Sequence, residues 1–344
     1  MAARSLPPRW IHFWALLTLL ATLGLLGMGG LVTSHGAGLA VPDWPNTFGY
    51  NMFLFPISKW VGGIFYEHLH RLWASGVGML TIVLAVGLAW QEPRAWMRRL
   101  GWTALVLVIL QGVLGGLRVT LLKNEIGIVH ACLAQAFFVL IGFLALATSR
   151  WWGETAETIS PRSVPVKWRW LVIVITAVVY LQLALGARMR HAHLGLSIPD
   201  YPLAYGQVIP PFDAASVEQI NEMRYQKGLP STTTEQIVVQ FTHRTLAIVI
   251  FFAIMVCAEQ ARCPQTPRVL RRMVMFWAGL VALQFVLGAA TVWSDKAADV
   301  ATAHVVVGAL TLLTGAMLGA MTWRIQSNPD RVDDNRGISN TMVA

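Results

Sequence analysis

Four histidines of this 344-residue chain recur at a near-constant spacing. His70 closes the string EHLH at 67–70 and His243 closes QFTH at 240–243, 173 residues later, while His130 is matched by His304, 174 residues later. Each stands near one end of a long apolar run, where an ionisable side chain is costly and is a functional candidate by default. Imidazole ligates zinc, copper and iron. Zinc or copper draws a third ligand from close by; Glu67 offers one beside His70, but Gln240 at the matching position is a poor donor. Two imidazoles on facing helices can instead ligate one heme iron from its two faces, and Gly-rich walls with abundant aromatics fit a porphyrin better. Duplication would copy a structural histidine just as faithfully, so the four amount to two independent observations, and a purely hydrogen-bonding role for any one stays open.

The flanking residues sharpen this reading. Arg71 and Arg244 directly follow His70 and His243, and a guanidinium at that level is a natural partner for heme propionates; snorkelling to lipid headgroups is the alternative. Glu67 lies three residues before His70, on the same helix face, which makes it a candidate proton-transfer or cation-stabilising group. A carboxylate that merely complements a helix N-terminus is the plainer account. Its counterpart Gln240 cannot ionise. The asymmetry predicts that one porphyrin site does chemistry while the other holds a redox cofactor.

The elements that must carry these residues are apolar. Hydrophobic residues make up 56% of the chain and charged ones 12%, with mean hydropathy +0.56, whereas a soluble domain carries about a quarter charged residues. That excludes a disordered chain, a disulfide-stapled module and an ordinary cytosolic enzyme. Eight apolar runs, near 11–32, 72–90, 100–117, 131–148, 170–187, 241–258, 273–294 and 301–323, predict an all-α polytopic membrane protein with eight transmembrane helices; an outer-membrane barrel would show short alternating segments instead. The first run is longer than a signal-peptide core and reads as a retained helix. Sixteen of the 26 Lys and Arg residues fall on the side holding both termini, which is therefore expected to be cytoplasmic. Loop placement accounts for the net charge of +9, and no nucleic acid is expected. The lack of an Arg/Ser-rich transit segment favours a bacterial plasma membrane. Cys132, Cys257 and Cys263 all lie in helices or on the cytoplasmic side, so no disulfide framework is expected.

The chain also repeats internally. LQGVLGGLRV at 110–119 matches LQFVLGAATV at 283–292, and GLAVPDWP at 38–45 matches GLSIPDYP at 195–202, at an offset of 157 that grows to 173 through an insertion of 16 residues within 203–239. Each unit holds an even number of helices, so the units are expected to be parallel four-helix bundles related by a pseudo-two-fold axis along the membrane normal. The expected divisions are 1–150, the N-terminal repeat with the porphyrin site that does chemistry; 151–169, a cytoplasmic linker; 170–323, the C-terminal repeat with the site that holds a redox cofactor; and 324–344, a cytoplasmic tail. Odd-numbered helices end in small residues (Gly29, Gly115, Gly186 and Gly288 among them) that let a helix or a flat ligand approach closely. The remaining histidines read more plainly: His35, His191 and His193 as exposed loop residues, with the lining of a porphyrin mouth as the alternative, His68 as pointing away from the ligand face, and His12 as interfacial. Asp43 and Asp200 are expected to cap turns, with propionate or lid contacts as the alternative.

EHLHR at 67–71, HACLAQ at 130–135, QFTHR at 240–244, AHVVVGAL at 303–310 and the paired PDWP and PDYP loops, in this order on eight helices, resemble the heme A synthase family of cytochrome-oxidase assembly factors over about residues 11–323. The resemblance implies oxidation of the heme O C8 methyl in two successive steps to a gem-diol, which loses water to give the formyl group of heme A. By position, His70 and His130 would flank heme O, Glu67 would be the catalytic carboxylate, and His243 and His304 would ligate a resident heme b. Expected partners are a heme O synthase, an electron donor the sequence does not name and membrane lipid, with self-association through the Gly-rich helix ends left open. Many members carry a cysteine pair in an outer loop; residues 33–66 and 188–239 contain none, which excludes a thiol-dependent step through that loop here. The competing reading is a di-heme b-type membrane electron carrier without porphyrin chemistry, which gives no reason for one half alone to keep a carboxylate.

Overall fold

The computed structural model describes residues 7–327, except for the side chain of Asn124. Most of the expected tail, 328–344, lies outside the described residues, as does Arg4. Among the described residues eight helices are long and apolar enough to cross a membrane: α1 Arg9–Ser34, α2 Gly62–Gln91, α3 Ala95–Leu121, α4 Asn124–Ala147, α5 Val166–His191, α6 Thr234–Gln260, α7 Arg268–Trp293 and α8 Ala298–Gln326. Each apolar run maps onto one of them. The helices outrun the apolar sequence because a backbone at membrane depth must hydrogen-bond internally whatever its side chains are. Thus α2 starts at Gly62 rather than near 72 and carries Glu67, His70 and Arg71 within it, and α8 continues past 323 to Gln326. There is no strand among the described residues, only the isolated bridges Thr47–Tyr50 and Ala204–Gln207.

Helices α1 to α4 close a ring in which each packs on its sequence neighbours and α1 packs on α4; α5 to α8 close a second ring in the same order. The rings meet through α1 with α8, α4 with α5, and α4 with α8. Exchanging the halves maps this set of contacts onto itself. Between apolar helices in lipid no hydrophobic force operates, so association depends on close van der Waals fit at small residues. Leu313 of α8 comes within 2.3 Å of where a Cβ would stand on Gly142 of α4, and Thr302 of α8 within 2.8 Å of the same point on Gly30 of α1. Buried residues such as Ile11, Leu88 and Leu144 in one ring and Val172, Ile254 and Leu270 in the other fill the ends on the side of the chain termini. The opposite ends are left unfilled by such clusters.

The segment expected as a linker is compact rather than extended. It is built of short helical turns at Trp151–Thr155, Ala156–Thr158 and Pro161–Ser163, tied to α8 by Arg324 to Glu157 (2.9 Å) and Gln326 to the Val164 carbonyl (2.6 Å). The extra length within 203–239 holds a helix, Ala214–Gln226, capped by the Asp213 carboxylate on the Ser216 N–H (2.9 Å).

Candidate functional site

The four repeated histidines all lie within the first three turns of α2, α4, α6 and α8. In each ring these are the diagonal helices, so the imidazoles face one another across a bundle. Each ring edge lies over a glycine on the preceding helix: a Cβ on Gly29, Gly115, Gly186 or Gly288 would stand 3.2, 3.6, 3.3 or 3.2 Å from Cε1 of His70, His130, His243 or His304. The Nδ1 atoms of all four are buried and, among the described residues, without a hydrogen-bond partner. A polar atom left so is rare in a folded protein unless a further group takes part. Glutamines fix the helix register beside them: Gln111 donates to the His130 carbonyl (3.2 Å), Gln182 to the His243 carbonyl (2.9 Å), and Gln284 lies 3.4 Å from His304 Nε2.

All four imidazoles line one continuous cavity of about 1800 Å³ that draws its walls from both rings. A pocket for one small ligand is about 300–1,000 Å³, so this one has room for two. Among the described residues no three His, Cys, Asp or Glu side chains gather as a metal cluster, and the donor set is imidazole in diagonal pairs. Paired axial donors, glycine cradles and a large apolar wall fit a tetrapyrrole in each half.

The outer loops close this cavity with the same wiring twice. Arg71 donates to the carbonyls of Asp43 (2.7 Å), Asn46 (3.1 Å) and Val41 (2.8 Å); Arg244 donates to Asp200 (2.8 Å), Leu203 (3.1 Å) and Ile198 (2.9 Å). The Asp43 carboxylate accepts from Phe48 and Gly49 N–H, both at 2.8 Å, and Asp200 from Tyr205 (2.7 Å) and Gly206 (2.9 Å). These are turn caps, as expected. Burial opposes ionisation of Asp43, yet the Gly49 and Phe48 N–H donors outweigh it and hold its carboxyl below the ordinary range. Arg71 and Arg244 do line the cavity, but their terminal N–H groups engage loop backbone, so the geometry makes both of them loop clamps.

The halves part company at one position. Glu67 is buried; one oxygen pairs with Arg71 at 2.7 Å and the other accepts the Val41 N–H at 3.2 Å. Gln240 accepts the Ile198 N–H at 2.6 Å but turns its amide N–H to the carbonyls of Gly195 (2.9 Å) and Ile198 (3.2 Å). A carboxylate has no donor for that second role, so it faces the arginine instead. Trp44 differs likewise: its ring leaves only 2.4 Å for a Cβ on Gly116, whereas Tyr201 in the second loop faces a helix that carries Ala289 at the matching place.

Other placements bring one correction. His191, read as an exposed loop residue, is the buried last residue of α5 and lines the cavity, because α5 runs on past the apolar stretch. His193 is exposed, His35 stacks on Tyr66 at 4.1 Å, and His12 meets Thr148 Oγ1 at 3.1 Å. His68 points away from the cavity to Thr47 Oγ1 (3.2 Å), between Phe55 and Trp60. The inserted helix sends buried Arg224 to the carbonyls of Pro230 (2.7 Å) and Leu196 (3.0 Å) and to the Tyr205 hydroxyl (3.2 Å). Burial raises the Tyr205 phenol's pKa, against the pull of Arg224. Sequence reasoning missed Arg118 of α3, which also lines the cavity. The signal was the repeat itself, which sets Arg118 against Thr291.

The chain matches the sequence profile of the family described as "Cytochrome oxidase assembly protein" over residues 50–318. It is similar to the heme A synthase of Shouchella clausii, 28% identical over 247 residues that cover 70% of this chain and 72% of that protein. The heme A synthase of Methylobacterium radiotolerans is 24% identical, with 90% and 89% covered, and that of Shewanella oneidensis 24%, with 93% and 99% covered.

Proposed function

The chain belongs to the cytochrome oxidase assembly protein family, and from that premise we propose that it is a heme A synthase, a multi-pass membrane oxidoreductase that takes heme O as substrate. Two successive two-electron oxidations, each adding one hydroxyl oxygen and drawing on an oxidant external to the chain, take the C8 methyl to a gem-diol, which loses water to give the formyl group. The observation that carries this reading is a pair of diagonal imidazole sites on one cavity, with an ionisable carboxylate beside only one of them.

His70 and His130 would hold the heme O iron, and Gly29, where a Cβ would stand 3.2 Å from the His70 ring, leaves that ring room to do so. Glu67 is the catalytic carboxylate. Each of its oxygens accepts a single hydrogen bond, which leaves a lone pair to take a proton or to stabilise positive charge at the methyl being oxidised. Arg71 fixes its position. His243 and His304 fit heme b, which when bound supplies a one-electron relay. The clamped outer loops cover the cavity and keep bulk water from the reacting edge.

The two rings are parallel repeats about a pseudo-two-fold axis along the membrane normal, a relation supported by the self-mapping contact set. The N-terminal repeat is the substrate unit and the C-terminal repeat the electron-transfer unit. Both termini are cytoplasmic, the heme sites lie toward the outer side of a bacterial plasma membrane, and a heme O synthase delivers substrate. Co-expression with a heme O synthase, followed by chromatography of extracted hemes, tests the reading: heme A accumulates with the unaltered chain and is absent with Glu67→Gln, whose purified protein still binds heme. Undiminished heme A from that variant would refute the role of Glu67, and stable protoheme alone in both sites would favour a di-heme carrier.

A further inference from the structure

We propose that Arg118, with His191 beside it, is the receptor for the carboxylates at the edge of the first-half substrate, an inference that rests on reading the first half as a tetrapyrrole site. A macrocycle held by two axial imidazoles is free to turn about the line joining them. Only a contact at its edge decides which peripheral methyl lies beside Glu67, and orientation of this kind governs both rate and regiochemistry. The carboxylates of the side chains are the strongest handle at that edge.

The arginines adjacent to the ligands are already engaged. All four terminal N–H directions of Arg71 go to Asp43, Asn46, Val41 and Glu67. Arg190, another cation of the cavity wall, donates to the Gly30 and Ala301 carbonyls and to Ser34. Arg118 is the opposite case. It lines the cavity, its Nε is buried without a partner, and among the described residues no side chain or carbonyl accepts from it. A guanidinium in that state is poorly stabilised until an anion arrives, and its planar fork matches a carboxylate in two hydrogen bonds.

Two glycines make the space. A Cβ on Gly38 of the first outer loop would stand 2.6 and 2.7 Å from the two terminal nitrogens of Arg118, and one on Gly127 of α4 would stand 3.0 Å from its Nε and 2.8 Å from His191 Nδ1. Imidazole and guanidinium thus lie side by side over Gly127. In the second half the position of Arg118 is Thr291, yet Gly195, the counterpart of Gly38, is covered by Lys296, whose Cδ would lie 3.1 Å from a Cβ there. Each half therefore sets one cation over the same loop glycine from a different place in the chain. The forked one serves the half where orientation decides the product.

The test titrates purified full-length protein in detergent with ferric protoheme and with its dimethyl ester, and reads the low-spin absorbance gained beyond the resident heme. The unaltered chain is expected to bind the free acid at least about tenfold more tightly than the ester. Arg118→Gln abolishes that preference and leaves ester affinity in place, while Arg71→Gln keeps the preference. Equal affinity for acid and ester in the unaltered chain, or an undiminished preference in Arg118→Gln, would overturn the proposal. Failure to take up either porphyrin at the first half would instead overturn the site reading beneath it. If Arg118→Gln does not fold, as judged by loss of the second-half absorbance, Arg118→Lys carries the test: it keeps the charge without the fork, and a preference unchanged from that of the unaltered chain would again contradict the receptor.

Discussion

The first and second rings share one scaffold and differ in what they leave charged. Both clamp an outer loop with an arginine, cap its turn with an aspartate and set two imidazoles on glycines. The first keeps Glu67 and Arg118 on the cavity wall where the second has Gln240 and Thr291. The second adds instead an outer helix whose Arg224 reinforces the loop. On the proposed reading, the first half acts on its guest and the second holds its guest still.

The comparison can be broken most forcefully by exchanging that pair of residues. Glu67→Gln is expected to lower heme A formation by about 100-fold or more. The reverse change, Gln240→Glu, removes amide donation to Gly195 and Ile198 and places a charge in a buried site, destabilising the second ring by about 1–3 kcal/mol without a new product. Thermal unfolding and heme extraction on the two variants measure this; formyl product arising from the second half would contradict the division.

The clamps offer a finer cut. Arg71→Gln frees the first loop and also unpairs Glu67, so product formation should fall by about tenfold or more. Arg244→Gln frees only the second loop and leaves Glu67 untouched. Limited proteolysis should then show one loosened loop in each variant, and heme A yield should separate them. Equal losses of yield would mean that Arg71 does nothing for Glu67.

Adjacent glycines sharpen the comparison further. Gly116→Ala must displace the Trp44 ring, at a cost of about 1–3 kcal/mol, and lower porphyrin uptake at the first half. Gly115→Ala meets only His130 Cε1 at 3.6 Å, an ordinary contact, and should be tolerated. The smallest effect concerns Asp43. Its carboxyl is depressed in the folded chain, so the stability it adds is complete above the ordinary value of 3.8 and is lost as pH falls through the lower folded value. Protease cleavage of the first loop should stay slow at neutral pH and rise only below 3.8, whereas Asp43→Ala should be cleaved readily at neutral pH.

Much of this was legible in the residues. Runs of about 20 apolar residues leave a chain in lipid little choice but helix, and offsets of 173 and 174 align the two histidine pairs in the sequence itself. The small residues at the outer ends of the odd helices proved to be the places where the four rings lie. What escaped was set by three-dimensional closure. Apolarity marks where a helix can cross, not where it ends, so His191 was read as exposed loop when it closes α5 inside the cavity. The adjacency of Arg71 to His70 is legible in the sequence; that its guanidinium also clamps the first loop depends on carbonyls some thirty residues away. Arg118 is visible as the odd member of LQGVLGGLRV against LQFVLGAATV, but only packing over Gly38 and Gly127 reveals that its Nε has no partner among the described residues.

The division between the halves is tested most directly by the hemes extracted from two double variants, each made alongside a heme O synthase. His70→Ala with His130→Ala should lose heme O and heme A while keeping protoheme and its low-spin spectrum; His243→Ala with His304→Ala should lose the protoheme and that spectrum while keeping heme O. If both variants lose the same hemes, or the pattern is reversed, the assignment of substrate to the first ring and cofactor to the second is wrong.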